Sequence, residues 1–179
     1  NASESMGRHY EKTGEFNLAN KAYKNINVIT DWQVVGVFEN ISASGFDKNY
    51  EPISTPENKT SFKNKFNADV TWFDIEGIRK DRWVDLTYDF SDQNSIVYAQ
   101  TFVNCTVEKE YEFRVGTSGS LKVWINDCNV FSEFDERNNG IDTYIIKVKL
   151  NKGYNRILLQ LGANEINQLN FLARFAPQR

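Results

Sequence analysis

The chain has 179 residues, 40% of them hydrophobic and 14% aromatic, and a net charge of −3. A chain of this size buries roughly 70% of its unfolded surface, so its core needs neither a metal nor disulfides, and its apolar content excludes a disordered segment. The charge offers no basic stripe for nucleic acid, and no apolar run approaches the ~20 residues of a spanning helix.

The chain opens at Asn1 without an initiator Met or a signal-peptide pattern, which marks a processed end or a boundary within a longer protein. Residues 1–28 read as a helical hairpin. Met6, Tyr10, Phe16, Ala19 and Tyr23 recur mostly at three- and four-residue steps, with Gly14 between the halves. Its apolar stripe is expected to dock on the domain formed by residues 29–179.

After Thr30 the period becomes two. A strand is expected at 31–38, with Gly36 marking a bulge or a close backbone approach. A polar loop comes next, at 39–65; loops of this length are functional or lie over an edge. Further strands are expected at 69–75, 83–88, 96–103, 111–116, 121–125, 130–134, 143–150, 156–161 and 169–175. Turn-forming residues punctuate them, among them Ser118-Gly119, Asn126-Asp127 and Lys152-Gly153. Many short strands without helical crossovers predict a mainly β chain. The expected fold is an antiparallel jelly-roll β-sandwich over 29–179, preceded by the α-helical hairpin.

Catalytic chemistry is poorly supplied. The one histidine, His9, falls in the hairpin, and Cys105 and Cys128 have no zinc-type spacing. A hairpin pairing Gly116 with Leu121 would set Lys109 opposite Cys128, with Cys105 just beyond the same sheet end. One disulfide and two free thiols both remain open. Asp135-Glu136 or Asp74 with Glu76 could in principle serve a glycosidase, but acidic clusters are usually solvated surface. The expectation is no enzyme.

Two ligand chemistries are better supplied. Asp47, Asn49 and Glu51 space oxygen ligands at alternate positions, as a hard cation wants, although an ordinary Asx turn is the leading reading of them. Tyr50, Trp72 and Trp83 are candidate platforms for a sugar ring, with Arg82 and Asp85 as polar partners. Trp32 and Trp124 lie inside apolar alternation and read as core.

Several stretches carry resemblances. Gly7, Tyr10, Ala19 and Tyr23 resemble the small and aromatic positions of a tetratricopeptide repeat, with Ser3 and Asp31 departing from it. The stretches 121–126 and 150–158, with Gly153 and Asn155 at a turn, resemble the strand-turn and last hairpin of galactose-binding-like jelly rolls. Residues 31–38 with Gly45-Phe46-Asp47, Tyr50 and Pro52 resemble the opening of such a domain in uncharacterised bacterial multidomain proteins. In those, tetratricopeptide repeats and a transglutaminase-like domain share the chain. Val37, Glu51 and Ile53 depart from that pattern. The resemblance implies an extracytoplasmic setting (periplasmic, cell-surface or secreted), a loop calcium as a structural option, and no other cofactor. The expected role is a non-catalytic binding module with carbohydrate or glycopeptide as ligand. The alternative is a spacer whose partners are proteins or neighbouring domains of the same chain.

Overall fold

The computed structural model describes residues 28–76, 78–79, 81–137, 140–166 and 168–177. The expected hairpin and His9 lie in residues 1–27, outside the described residues. Twelve strands are described: β1 (Gln33–Glu39), β2 (Phe62–Lys63), β3 (Asp69–Val70), β4 (Phe73–Asp74), β5 (Val84–Asp85), β6 (Ser95–Cys105), β7 (Lys109–Thr117), β8 (Ser120–Ile125), β9 (Cys128–Glu133), β10 (Tyr144–Leu150), β11 (Gly153–Ala163) and β12 (Asn170–Pro177). A six-stranded sheet runs β4-β1-β6-β11-β8-β9 and a four-stranded sheet β10-β7-β12-β5. Their strand pairs are all antiparallel. The small β2-β3 pair stands apart.

The two sheets pack face to face. Alternate residues of the six-stranded sheet, among them Val97, Ala99, Ile157 and Leu159, meet Phe113, Val115, Phe171 and Ala173 of the other in one core. On β10 the alternation is clean: Tyr144, Ile146, Val148 and Leu150 are buried, while Ile145, Lys147 and Lys149 face water.

The central strands of the larger sheet do not alternate. β6 and β11 carry long buried runs because a second cluster covers their outer face, with Val35, Phe38, Phe62, Trp72, Tyr98, Trp124 and Leu158. The loop after β1 therefore lies over a face of the sheet and not over an edge, one of the two readings its length allowed. Gly36 does mark a bulge: it pairs with Val97 and Phe38 with Ile96, leaving Val37 unpaired. The extra residue shifts the phase, so Val34 and Val37 point into the sandwich while Val35 and Phe38 point to the loop.

Three expectations need correction. The stretch 69–75 is two short strands separated by a break, one in the small pair and one at the edge of the six-stranded sheet. β7 and β8 do not form a hairpin, since β7 pairs with β10 and β12 while β8 pairs with β9 and β11. Lys109 is therefore opposite Leu150 and not Cys128. Cys105 sits opposite Gly153 on β6, and Cys128 opposite Ile125 on β9. Three strand spacings separate them, about 14 Å, well beyond the ~7 Å a disulfide tolerates. Both thiols are free.

Candidate ligand-binding cleft

The outer face of the six-stranded sheet is only partly covered. Its cover, residues 40–72, is anchored by buried polar groups rising from the strands. Arg156 on β11 donates from Nε to Gln100 Oε1 (3.0 Å), from Nη1 to Ile53 O (2.7 Å) and from Nη2 to Pro52 O (2.8 Å). Gln100 Nε2 donates in turn to Gln33 Oε1 and Pro56 O, both at 3.0 Å. Tyr98 donates to Gln160 Oε1, whose amide nitrogen donates to Phe46 O. A buried charge persists only when it is paired and hydrogen-bonded, and Arg156 has these three hydrogen bonds together with the Asp127 carboxylate 3.7 Å from Nη1. Burial holds its guanidinium below its ordinary value, with Asp127 and Glu57 pulling the other way.

Where this cover ends, at Pro56–Asn58, the sheet opens into a cleft of about 480 Å³. Gln33, Gln100 and Phe102 line its floor, and Asp31, Glu57 and Asp74 its rim. Phe102 is 47% exposed and Tyr154, on the next strand, 75%. Phe102 pairs with Arg156 and Tyr154 with Asn104, which makes the two rings diagonal neighbours on one face. Phe102 thus lies among amides and carboxylates, with Tyr154 diagonal to it on the same face.

The residues singled out from sequence do not gather here. Tyr50 stacks on Phe38 at 5.1 Å and donates its hydroxyl to Glu39 O. Burial first, then the Glu39 charge, raise its phenol above the ordinary value. Trp72 is buried, donates Nε1 to Thr55 O and lies under the Arg156 guanidinium. Both hold the cover in place. Trp83 is buried as well, on the other sheet, beside Arg82 with its positive φ of 73°. Asp85 there accepts from the Thr87 amide. Tyr50 and Trp72 therefore sit on the opposite side of the sandwich from Arg82, Trp83 and Asp85.

In the 47–51 loop the side chains of Asp47, Asn49 and Glu51 are exposed, and Asp47 pairs with Lys122 Nζ at 3.1 Å. Among the described residues, no three His, Cys, Asp or Glu side chains are grouped to hold a metal ion. Neither carboxylate of the 135–136 pair is poised for acid-base work. Asp135 is solvent-exposed, and Glu136 accepts from the backbone amides of Asn164, Glu165 and Ile166.

Phe102 and Gln33 were missed because each sits inside an expected strand, and Tyr154 because it precedes the strand expected at 156–161 although β11 begins at Gly153. A phenylalanine within an apolar run reads as core, and only the position of the cover exposes it. One sign was available: the exposed Tyr154 comes directly after Gly153 in the turn resembling the last jelly-roll hairpin. Asn155 builds that turn, accepting from Asn151 N and donating to Asn151, Gly153 and Val103 carbonyls.

No protein-family model matches the sequence, and no curated protein matches it. Several solved structures match part of the chain. A beta-glucosidase from Kluyveromyces marxianus is 17% identical with a TM-score of 0.42, over 54% of this chain and 13% of that one. An anti-sigma factor domain-containing protein is 16% identical with a TM-score of 0.47, over 64% and 39%. A family 35 carbohydrate binding module from Clostridium thermocellum is 17% identical with a TM-score of 0.35, over 46% and 72%. The chain thus spans 13% of the length of that beta-glucosidase. Likenesses of this size leave ligand and activity to be argued from the clefts.

Proposed function

We propose that the domain is a non-catalytic binding module that takes a stretch of carbohydrate on the open strip of its six-stranded sheet. The exposed Phe102, which lines the cleft with Gln33, Asp74 and Asp31, and the exposed Tyr154 diagonal to it on the next strand carry this reading. A sugar ring offers apolar C–H faces to an aromatic ring and hydroxyls to amides and carboxylates, and the strip has both in reach. A glycosidase general acid keeps its proton through an apolar surrounding, whereas Asp31, Glu57 and Asp74 are all solvent-exposed. Chain passage between the sheets after β4, β5, β6, β7, β9, β10 and β11 supports the jelly-roll description. The resemblance to domains of exported multidomain proteins supports an extracytoplasmic role. No helix of the described residues is long and apolar enough to cross a membrane.

Affinity electrophoresis against soluble polysaccharides tests the proposal. The wild-type domain should be retarded by at least one neutral polymer, and Phe102→Ala with Tyr154→Ala should abolish the retardation. Each lost ring contact is expected to cost about 1 kcal/mol, so the double change should weaken binding about thirtyfold. If no polymer retards the wild type, the spacer reading prevails. A polymer shortened during the run would overturn the non-catalytic half.

A further inference from the structure

The opposite end of the same sheet holds a second cleft, of about 370 Å³, that the proposed strip does not use. Its floor is formed where β1 and β11 end and β8 begins. Asn40 is 1% exposed and Ser120 6%, and both line the cleft. Asn40 Oδ1 accepts from the Gly45 amide, which fixes the orientation of the side-chain amide. Its Nδ2 and the Ser120 hydroxyl find no hydrogen-bond partner among the described residues. The side-chain atoms sealed from solvent without a partner among the described residues are Trp83 Nε1 and Arg114 Nε, so Asn40 Nδ2 and Ser120 Oγ still reach the water of the cleft. Two on one floor are therefore donors left for whatever enters the cleft. They flank Gly162, where a Cβ would stand 2.1 Å from Ser120 Oγ and 3.5 Å from Asn40 Nδ2. The absence of a side chain at this position keeps the floor open.

The walls complete a recognition chemistry. Phe134, 55% exposed, is held edge-on by Phe46 at 5.2 Å. Asp135 and Glu165 stand exposed on the rim. Glu136 is engaged by the 164–166 amides, and the Arg137 guanidinium lies 5.9 Å from the centre of the Tyr144 ring. Donors at the floor want an acceptor oxygen and carboxylates at the rim want hydroxyl or ammonium donors. The guanidinium of the lining, Arg137, is already attracted by Glu133 and Asp135, so an anion would meet a net negative wall.

We infer that this cleft is a second, independent binding site for a single neutral or amino sugar ring, and that it rejects uronates. It shares a ligand class with the strip and nothing else, so either site can fail alone. Titration of the ¹⁵N-labelled 179-residue chain with glucose, glucosamine and glucuronate tests it. Glucose and glucosamine should shift the Asn40 side-chain amide resonances, and glucuronate should not. Ser120→Ala should weaken the two active sugars about fivefold, the worth of one hydrogen bond. It should leave the melting temperature unchanged, because Oγ holds nothing among the described residues. Asn40→Asp keeps the acceptor for Gly45, removes the donor and should abolish binding of glucose. The Phe102→Ala, Tyr154→Ala double variant should titrate as wild type. The site is refuted if neither glucose nor glucosamine moves those resonances, or if Ser120→Ala binds as wild type. Equal binding of glucuronate refutes the charge selection.

Discussion

Single side chains decide how the outer faces of both sheets hold together. Asp142, at a positive φ of 58°, receives Arg174 Nε at 2.9 Å and Arg114 Nη1 at 3.3 Å on the four-stranded sheet. Burial raises its carboxyl, but the two guanidiniums outweigh that and hold it below its ordinary value. A carboxyl that ionises more readily in the folded state stabilises fully above its unfolded value, about 3.9. That stabilisation is lost as pH falls through the lower folded value. Asp142→Asn should therefore destabilise the domain at pH 7, and the gap from wild type in urea melts should close as pH falls below about 4. A gap that persists at the acid end would show packing, not charge, at work. On the other sheet, Arg156→Met would leave Gln100 Oε1 and the Pro52 and Ile53 carbonyls without their donor. With orphaned acceptors costing about 1–3 kcal/mol each and the loop free to re-solvate some, a loss of about 3 kcal/mol is expected from urea unfolding.

The strands meet their neighbours through positions where size is decisive. At Gly116 on β7, a Cβ would lie 2.4 Å from Gly140 O and 2.9 Å from Trp83 Cη2. The Trp83 ring closes over this glycine, which is why a tryptophan that looked like a platform is buried. Gly116→Ala is expected to cost about 2 kcal/mol or more, as overpacking does. Gly140→Ala meets nothing within 4 Å and should change stability by less than about 0.5 kcal/mol. Thermal melts of the two variants check the contrast, and equal losses would refute the contact. The bulge at Val37 acts similarly, because one unpaired residue lets a single strand serve two clusters.

At the scale of the molecule, two sheets and a loop cover make three layers around one large core and one smaller cluster. The free thiols lie about three strand spacings apart, and Asp47 is already matched by Lys122. The melting temperature should therefore not move on adding dithiothreitol or EDTA. A drop with EDTA would place a structural cation in the 47–51 loop, and a drop with dithiothreitol would mean a bond between chains.

Much of the strand order along the chain was legible because alternation and turn chemistry are local. The two-residue turn at Asn126-Asp127, both at positive φ, and the Gly153 turn at φ +96° arise from residues that tolerate those angles. Tyr144 to Leu150 shows its buried face in its own pattern. Partner choice was not local. Nothing near Ser118-Gly119 says that the chain leaves one sheet for the other there, and the disulfide geometry failed with that pairing. The ligand sites were least legible of all. Trp72 and Trp83 have the chemistry of a platform and Phe102 that of a core residue, yet their exposures are reversed. Exposure belongs to whatever packs above a strand, and here a cover distant in sequence, which borders the cleft at Pro56–Asn58, decides it for Phe102.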